Sequence, residues 1–270
     1  MRRLIRGLAC AAVLVPTLMA GPAAEAVGPG AILPGFDGST FAPNDDGSYP
    51  CTSVPESDSC TGASTPAAQP LGFTANLYGT SFTGAFLNNN GSLTFDAPLG
   101  AYDPSPLAGT GRVIVTPFFA DVDTSRGQGV TFGQGTVGGR KAFAATWPGV
   151  NCYYSANART ARDWFQVVLI DRSDVAAGAF DVWFDYDQIQ WDAAQGSGGD
   201  ATCTNSSRSS ARAGISDGAA QALELAGSGV PGAWLDSGPS STSLVHNSLN
   251  SSQQGRYVLA VGWPPRTART

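Results

Sequence analysis

The chain is poor in the groups that most binding and catalytic chemistry needs. It has one lysine, Lys141, and one histidine, His246, among 270 residues, and acidic residues outnumber basic ones 21 to 15. A chain this short of positive charge has no electrostatic footprint for nucleic acid or for an anionic membrane. No C-x-x-C pair exists, and His246 has no neighbouring ligand residues, so metal binding by the cysteines is only a weak alternative. Only one long apolar run occurs, Leu8 to Ala20, and it is interrupted by Pro16. It falls short of the roughly 20 residues that span a bilayer. It follows Arg2, Arg3 and Arg6 and precedes Ala24-Glu25-Ala26, a small-x-small cleavage site. Residues 1–26 therefore read as a secretory signal, and the expected product is secreted, without membrane insertion. Losing that leader removes three arginines and Glu25, taking the net charge from −6 to −8.

What the chain has in excess is turn chemistry: 34 glycines and 18 prolines with only 13% charged residues. That composition points to many short strands and little helix. Residues 27–70 read as a loop-rich N-terminal extension, residues 71–263 as one β domain and 264–270 as a tail. Arginine used in preference to lysine, with much alanine and glycine, fits a bacterial source. Cys10 leaves with the leader, and Cys51, Cys60, Cys152 and Cys203 remain. An even count in a secreted chain predicts two disulfides, with three connectivities open. The expectation is Cys51–Cys60, closing a short loop, and Cys152–Cys203, pinning Tyr153-Tyr154 to a long loop.

Period-two patterning is frequent. Phe73, Ala75 and Leu77 alternate with polar residues, and Asn88-Asn89-Asn90-Gly91 separates two apolar runs as a hairpin turn should. Arg112–Phe119 is a strand in which Pro117 predicts an edge, a bulge or an early end. Val130–Phe132 and Lys141–Trp147 should pair around Gly138-Gly139. The run Trp164–Ile170 is apolar throughout except Gln166, and predicts a central strand buried on both faces. Phe180, Val182, Phe184 and Tyr186 alternate with Asp181, Asp185 and Asp187, and the parity shift to Ile189 and Trp191 predicts a bulge near Asp187-Gln188. The fold class is all-β: a single antiparallel sandwich or barrel-like domain with long Gly/Ser-rich loops.

Several of these segments, in this order, resemble one family. They are Asn88–Phe95, Thr116–Asp123, Phe165–Ser173, Phe180–Tyr186 with Ile189-Gln190-Trp191, and Ala211–Gly218. The resemblance is to the nidogen-like (NIDO) extracellular domain family. It implies an extracellular role in cell–matrix adhesion and supplies no established catalytic residues. Cys152 departs from the family pattern, and the further modules that follow this domain in animal relatives do not follow here.

Candidate sites were weighed on their chemistry. Gly214-Ile215-Ser216-Asp217-Gly218 matches the G-x-S-x-G elbow of α/β-hydrolases, and Asp236 and His246 follow in the required order. The segment lies among strands with no crossover helices, so a turn explains it better. The row of Asp181, Asp185 and Asp187 has the spacing for a glycosidase acid/base pair, but a solvated acidic sheet face explains it with less. Calcium is the ion the composition admits. Asp45 and Asp46 in Asn44-Asp45-Asp46-Gly47, and Asp121 and Asp123 in Asp121-Val122-Asp123, supply the oxygen ligands it prefers. Neither is an EF-hand, since Arg126 and Phe132 stand where that loop needs glycine and glutamate. Trp234, in a Gly/Pro-rich loop, is expected to be exposed and to bind. The loops 96–111 and 192–210 are the other expected contact surfaces. The function read from all this is a secreted, non-catalytic binding module with no cofactor beyond an optional calcium ion. Its partner would be a matrix or cell-surface protein or glycan. The alternative is a secreted hydrolase acting on polysaccharide or ester.

Overall fold

A computed structural model of the protein describes residues 30–52, 65–154, 160–238 and 241–263. The leader, Cys60 and the C-terminal tail lie outside them. Among the described residues there is no helix, and thirteen strands form two open antiparallel sheets. The strands are β1 (Ser39–Thr40), β2 (Gln69–Leu77), β3 (Thr80–Asn88), β4 (Ser92–Thr94), β5 (Ile114–Phe119), β6 (Val122–Asp123) and β7 (Thr131–Val137). They continue with β8 (Arg140–Cys152), β9 (Asp163–Asp171), β10 (Phe180–Gln188), β11 (Arg212–Ser216), β12 (Ala222–Glu224) and β13 (Arg256–Val261). The larger sheet runs β1-β7-β8-β9-β10-β13, with β6 joined to the far end of β8. The smaller runs β12-β11-β5-β4-β3-β2. The fold is a sandwich, and neither sheet closes into a barrel.

The alternation read along β10 decides which residues enter the core. Phe180, Val182, Phe184 and Tyr186 join the main apolar cluster with Phe118, Trp147, Phe165 and Trp191. Burying such rings contributes roughly 1.5–3 kcal/mol each. Trp147 stacks on Phe165 with centroids 5.1 Å apart, and Phe118 meets Trp191 edge-on at 5.3 Å. The expected bulge is present, because the register of β10 against β9 shifts between Tyr186 and Gln188. The β7–β8 hairpin turns at Gly138 and Gly139, whose φ values of 55° and 76° are the left-handed pair a two-residue turn needs.

Two local expectations are refined. In the Asn88–Gly91 turn only Gly91 has positive φ, at 79°. The asparagines serve as side-chain anchors instead. Asn88 donates to Thr94 Oγ1 at 3.0 Å, and Asn89 donates to the Val122 carbonyl. Pro117 lies in a central strand, but where the ladders fail: β4 pairs only with Ile114 and Val115, and β11 shifts register between Arg212 and Gly214. Its missing N–H therefore costs no regular ladder bond.

The outer face of the larger sheet is a second packed layer. Residues Ala31 to Phe36 of the N-terminal extension lie across it. Leu33 and Phe36 pack with Ala142, Ala144, Val168, Ile170, Trp183 and Val258. Gly135 is required there, since a Cβ would fall 2.8 Å from the Phe36 ring. The extension is loop-rich as read, yet it is built into the fold.

Candidate functional site

The extension next brings its Asn44–Gly47 turn against the loop between β5 and β6. The Asn44 side chain accepts the Gly47 N–H at 2.8 Å, an Asx turn, and Asp46 sits in the left-handed region at φ 60°. The turn is fastened to the domain: Asn44 N–H donates to Thr124 Oγ1 at 2.9 Å, and Thr124 N–H donates to the Asn44 carbonyl at 3.0 Å. Asp45 bridges Asp123 in antiparallel fashion. Asn90 links the two loops, donating to Asp46 Oδ1 at 2.8 Å while its own Oδ1 accepts the Val122 N–H at 2.9 Å.

The consequence is a carboxylate cluster. One oxygen from each of Asp45, Asp46 and Asp121 lies within 4.8 Å of the others. Asp121 is only 2% exposed, and its carboxyl accepts the Gly196 N–H. Asp45 Oδ1 is buried without a hydrogen-bond partner. Burial, followed by repulsion from Asp46 and Asp123, pushes the Asp45 carboxyl up to about 7. Burial, then Asp46 and Asp45, pushes Asp121 up to about 8. The arrangement concentrates negative charge where water solvates it only in part, Asp45 and Asp46 being half-buried and Asp121 buried. Oxygen atoms on opposite sides of one calcium ion stand about 4.8 Å apart, twice a ~2.4 Å bond, so three oxygens this close can share a hard cation.

Four carboxylates were expected as ligands from two separate loops. The structure joins the loops and unites three of them. Asp123 stands beside the cluster with its Oδ1 accepting the Ser125 N–H at 2.8 Å. Asn90 and Gly196 were missed. Asn90 looked like a turn residue, and nothing in the sequence places Gly196 near Asp121. The Cys152–Cys203 disulfide forms as expected. It sits behind the cluster, because Cys152 pairs with Val122 and Cys203 closes the loop that carries Gly196. Cys51 is disulfide-bonded, and its expected partner Cys60 lies outside the described residues.

Three other candidates end differently. Ser216 is fully buried, donates to the Gln221 carbonyl at 2.8 Å and accepts the Gly218 N–H at 2.9 Å. It is a turn-forming serine. His246 Nε2 meets the backbone carbonyl of Asp236, not its carboxylate, at 3.3 Å. Most of the acidic row is not a solvated face: Asp181 and Asp185 are buried, and Asp187 stays exposed. Asp185 and Arg256 are 0% and 1% exposed and form a two-pronged pair at 2.7 and 3.0 Å. Asp181 pairs with Arg172 at 2.8 Å, and Asp187 accepts the Ala31 N–H at 2.6 Å. The sequence could not show that the extension would cover that face. Trp234, expected to be exposed, is 1% exposed. Its indole N–H donates to the Ala226 carbonyl at 2.9 Å and its ring packs 6.0 Å from Phe118. The loop around it folds back onto the core because Leu235 and Leu244 are buried with it. The two long loops are likewise anchored, by Leu99 and Leu107 in one and by Ala193, Ala194 and Cys203 in the other.

A two-sheet antiparallel sandwich with a disulfide at one end and long anchored loops defines an all-β module suited to an oxidising compartment. The nidogen-like domain family matches residues 83–263, and the chain belongs to that family. Its members are extracellular modules, generally non-enzymatic, that often mediate protein interactions. No curated protein and no solved structure matches the chain. The extension that supplies Asp45 and Asp46 precedes the matched region. No helix among the described residues is long and apolar enough to cross a membrane.

Proposed function

We propose that the protein is exported, acts as a non-catalytic adhesion module, and holds a calcium ion at Asp45, Asp46 and Asp121. Family membership supports the extracellular binding role. The calcium reading is carried by one observation, the meeting of three carboxylate oxygens within 4.8 Å at the seam between extension and domain. The ion offsets the repulsion that burial and like charge create there. It also fastens the extension, since two ligands come from the extension and one from the domain. Binding loops on a rigid sandwich make weak contacts singly, so adhesion relies on many copies presented together. The partner is a matrix or cell-surface protein or glycan.

Calorimetric titration of the secreted chain with calcium tests the ion. Saturable binding at one site, lost in Asp121→Asn, is expected, and no heat or an unchanged isotherm in the variant rejects it. A dense coating of the folded protein should retain cells or wall polymer while soluble monomer binds feebly. A coating that retains neither removes the adhesion reading.

A further inference from the structure

The cross-strand register sorts the outer face of the larger sheet into four rows. They are Ala142–Ile170–Asp181–Ala260, Ala144–Val168–Trp183–Val258, Thr146–Gln166–Asp185–Arg256 and Pro148–Trp164–Gln188. The N-terminal extension packs on the second row through Leu33 and Phe36. It bonds to the third, where Gln166 accepts the Leu33 N–H at 3.0 Å and donates to the Leu33 carbonyl at 2.9 Å. The described part of the extension, residues 30–52, packs on the second and third rows, and the fourth is half-exposed. Trp164 is 36% exposed, the one tryptophan among the exposed large apolar residues.

Its surroundings are built for a flat ring. Trp164 lies over Gly149, at the bulge where β8 shifts register between Pro148 and Val150. A Cβ on Gly149 would stand 2.6 Å from Cζ2 and 2.8 Å from Cη2 of the indole, and the φ of 69° there also favours glycine. One ring face is thus seated on backbone, leaving exposure to the other. Gln188 is its cross-strand partner, and the loop before β9 fixes the amides of both Gln188 and Gln190. Gln188 donates to the Arg162 carbonyl at 2.8 Å, and Gln190 Oε1 accepts the Arg162 N–H at 3.0 Å. The loop in turn is held from below, where buried Asp163 accepts the Gln190 N–H at 2.7 Å.

We propose that Trp164, with Gln188 and Gln190, is a glycan-binding platform that stacks one pyranose ring of a surface polysaccharide. This rests on the adhesion reading and names the partner class. A pyranose presents an apolar C–H face and a rim of hydroxyls. The indole face carries negative quadrupole density that favours C–H contact, and amides both donate to and accept from hydroxyls. Proline-rich peptides are the other ligands of exposed aromatics, but they dock in grooves lined by several rings. Trp164 stands alone: the other exposed large apolar residues are Tyr78, which turns its hydroxyl to the Ile215 carbonyl, and Val230.

The test is co-sedimentation of the secreted chain with cellulose, chitin and purified peptidoglycan, beside titration with a polyproline peptide. At least one polymer should retain the protein. Trp164→Ala should weaken that binding about tenfold, equivalent to ~1.4 kcal/mol, with melting unchanged, and Trp164→Phe should retain part of it. Retention by none of the polymers, equal binding by Trp164→Ala, or binding of polyproline in place of polymer overturns the proposal. Cells still retained by Trp164→Ala would leave adhesion standing and remove this platform.

Discussion

Two acidic regions of the molecule, the outer sheet face and the seam with the extension, solve the same electrostatic problem in opposite ways. On the outer face, buried carboxylates face guanidinium groups. Asp185 pairs with Arg256, Asp181 with Arg172, and the exposed Asp174 with Arg140 and Arg172. Hydrogen bonds from those two arginines hold Asp174 down at about 2, and Arg256 opposes the upward push of burial on Asp185. Burial still raises Asp185, to about 7; at the seam between extension and domain, what surrounds Asp45 and Asp121 is more carboxylate, which adds to the upward push of burial instead of opposing it. The first arrangement is complete within the chain. The second is balanced only by protons or by a cation from outside.

Breaking the completed region should have the largest effect. Arg256→Met strands Asp185, which is 0% exposed, and removes the guanidinium that lies 4.4 Å from the Trp183 ring centre. Removing one partner of a buried pair costs about 3–5 kcal/mol, and chemical denaturation should show a loss of that size, with or without calcium. An unchanged midpoint would mean the pair is not the anchor described.

The seam should respond in the reverse sense. Asp121→Asn removes a repelling charge, so stability without calcium should hold or rise. The parent should gain about 2.7 kcal/mol when calcium reaches a hundred times its dissociation constant, and the variant should gain none of it. Thermal melts across a calcium series check both halves.

pH sharpens the contrast. A carboxyl raised in the folded state binds protons there that the unfolded chain has already lost. Its contribution is therefore fully present below the ordinary value of 3.8 and is lost as pH rises through about 7 for Asp45 and about 8 for Asp121. Calcium-free protein should lose stability between about pH 5 and 8.5, with Asp185 and Asp192, both also pushed up to about 7, adding to the loss, and saturating calcium should remove the cluster's share of that slope. A stability that climbs over the same range in chelator would contradict the cluster as described.

The smallest effect belongs to a residue outside both regions. Ser216→Ala removes two turn hydrogen bonds and should cost about 1 kcal/mol. It should leave adhesion unchanged, and a fluorophosphonate probe should not label the parent. Labelling of Ser216 would reopen the hydrolase reading.

Much of this was legible in the residue order. Strand positions, the Gly138-Gly139 turn, the bulge near Gln188 and the Cys152–Cys203 pair all follow from short-range pattern and cysteine count. Asp45, Asp46, Asp121 and Asp123 were also recognisable as candidate oxygen ligands, because carboxylates on Asn- and Gly-bearing turns suggest that chemistry locally, and the fold brings three of them together. Trp234 and Trp164 show the limit. A tryptophan in a Gly/Pro-rich loop reads as exposed and one opening an apolar run reads as buried, yet here the loop folds onto the core and the run begins past the edge of its cover.

The sequence by itself determined the elements, because a strand's two faces, a turn's glycines and a carboxylate's affinity for hard cations are properties of a few neighbouring residues. Only the tertiary structure decided which acidic residues meet an arginine and which meet other carboxylates. That depends on where residues 30–52 lie. Their placement brings Asp45 and Asp46 to Asp121, some 75 residues away in sequence. It also covers Asp185 and Arg256 while leaving Trp164 half-exposed. Coulomb and packing energies act on distance in space, and no local pattern encodes those distances.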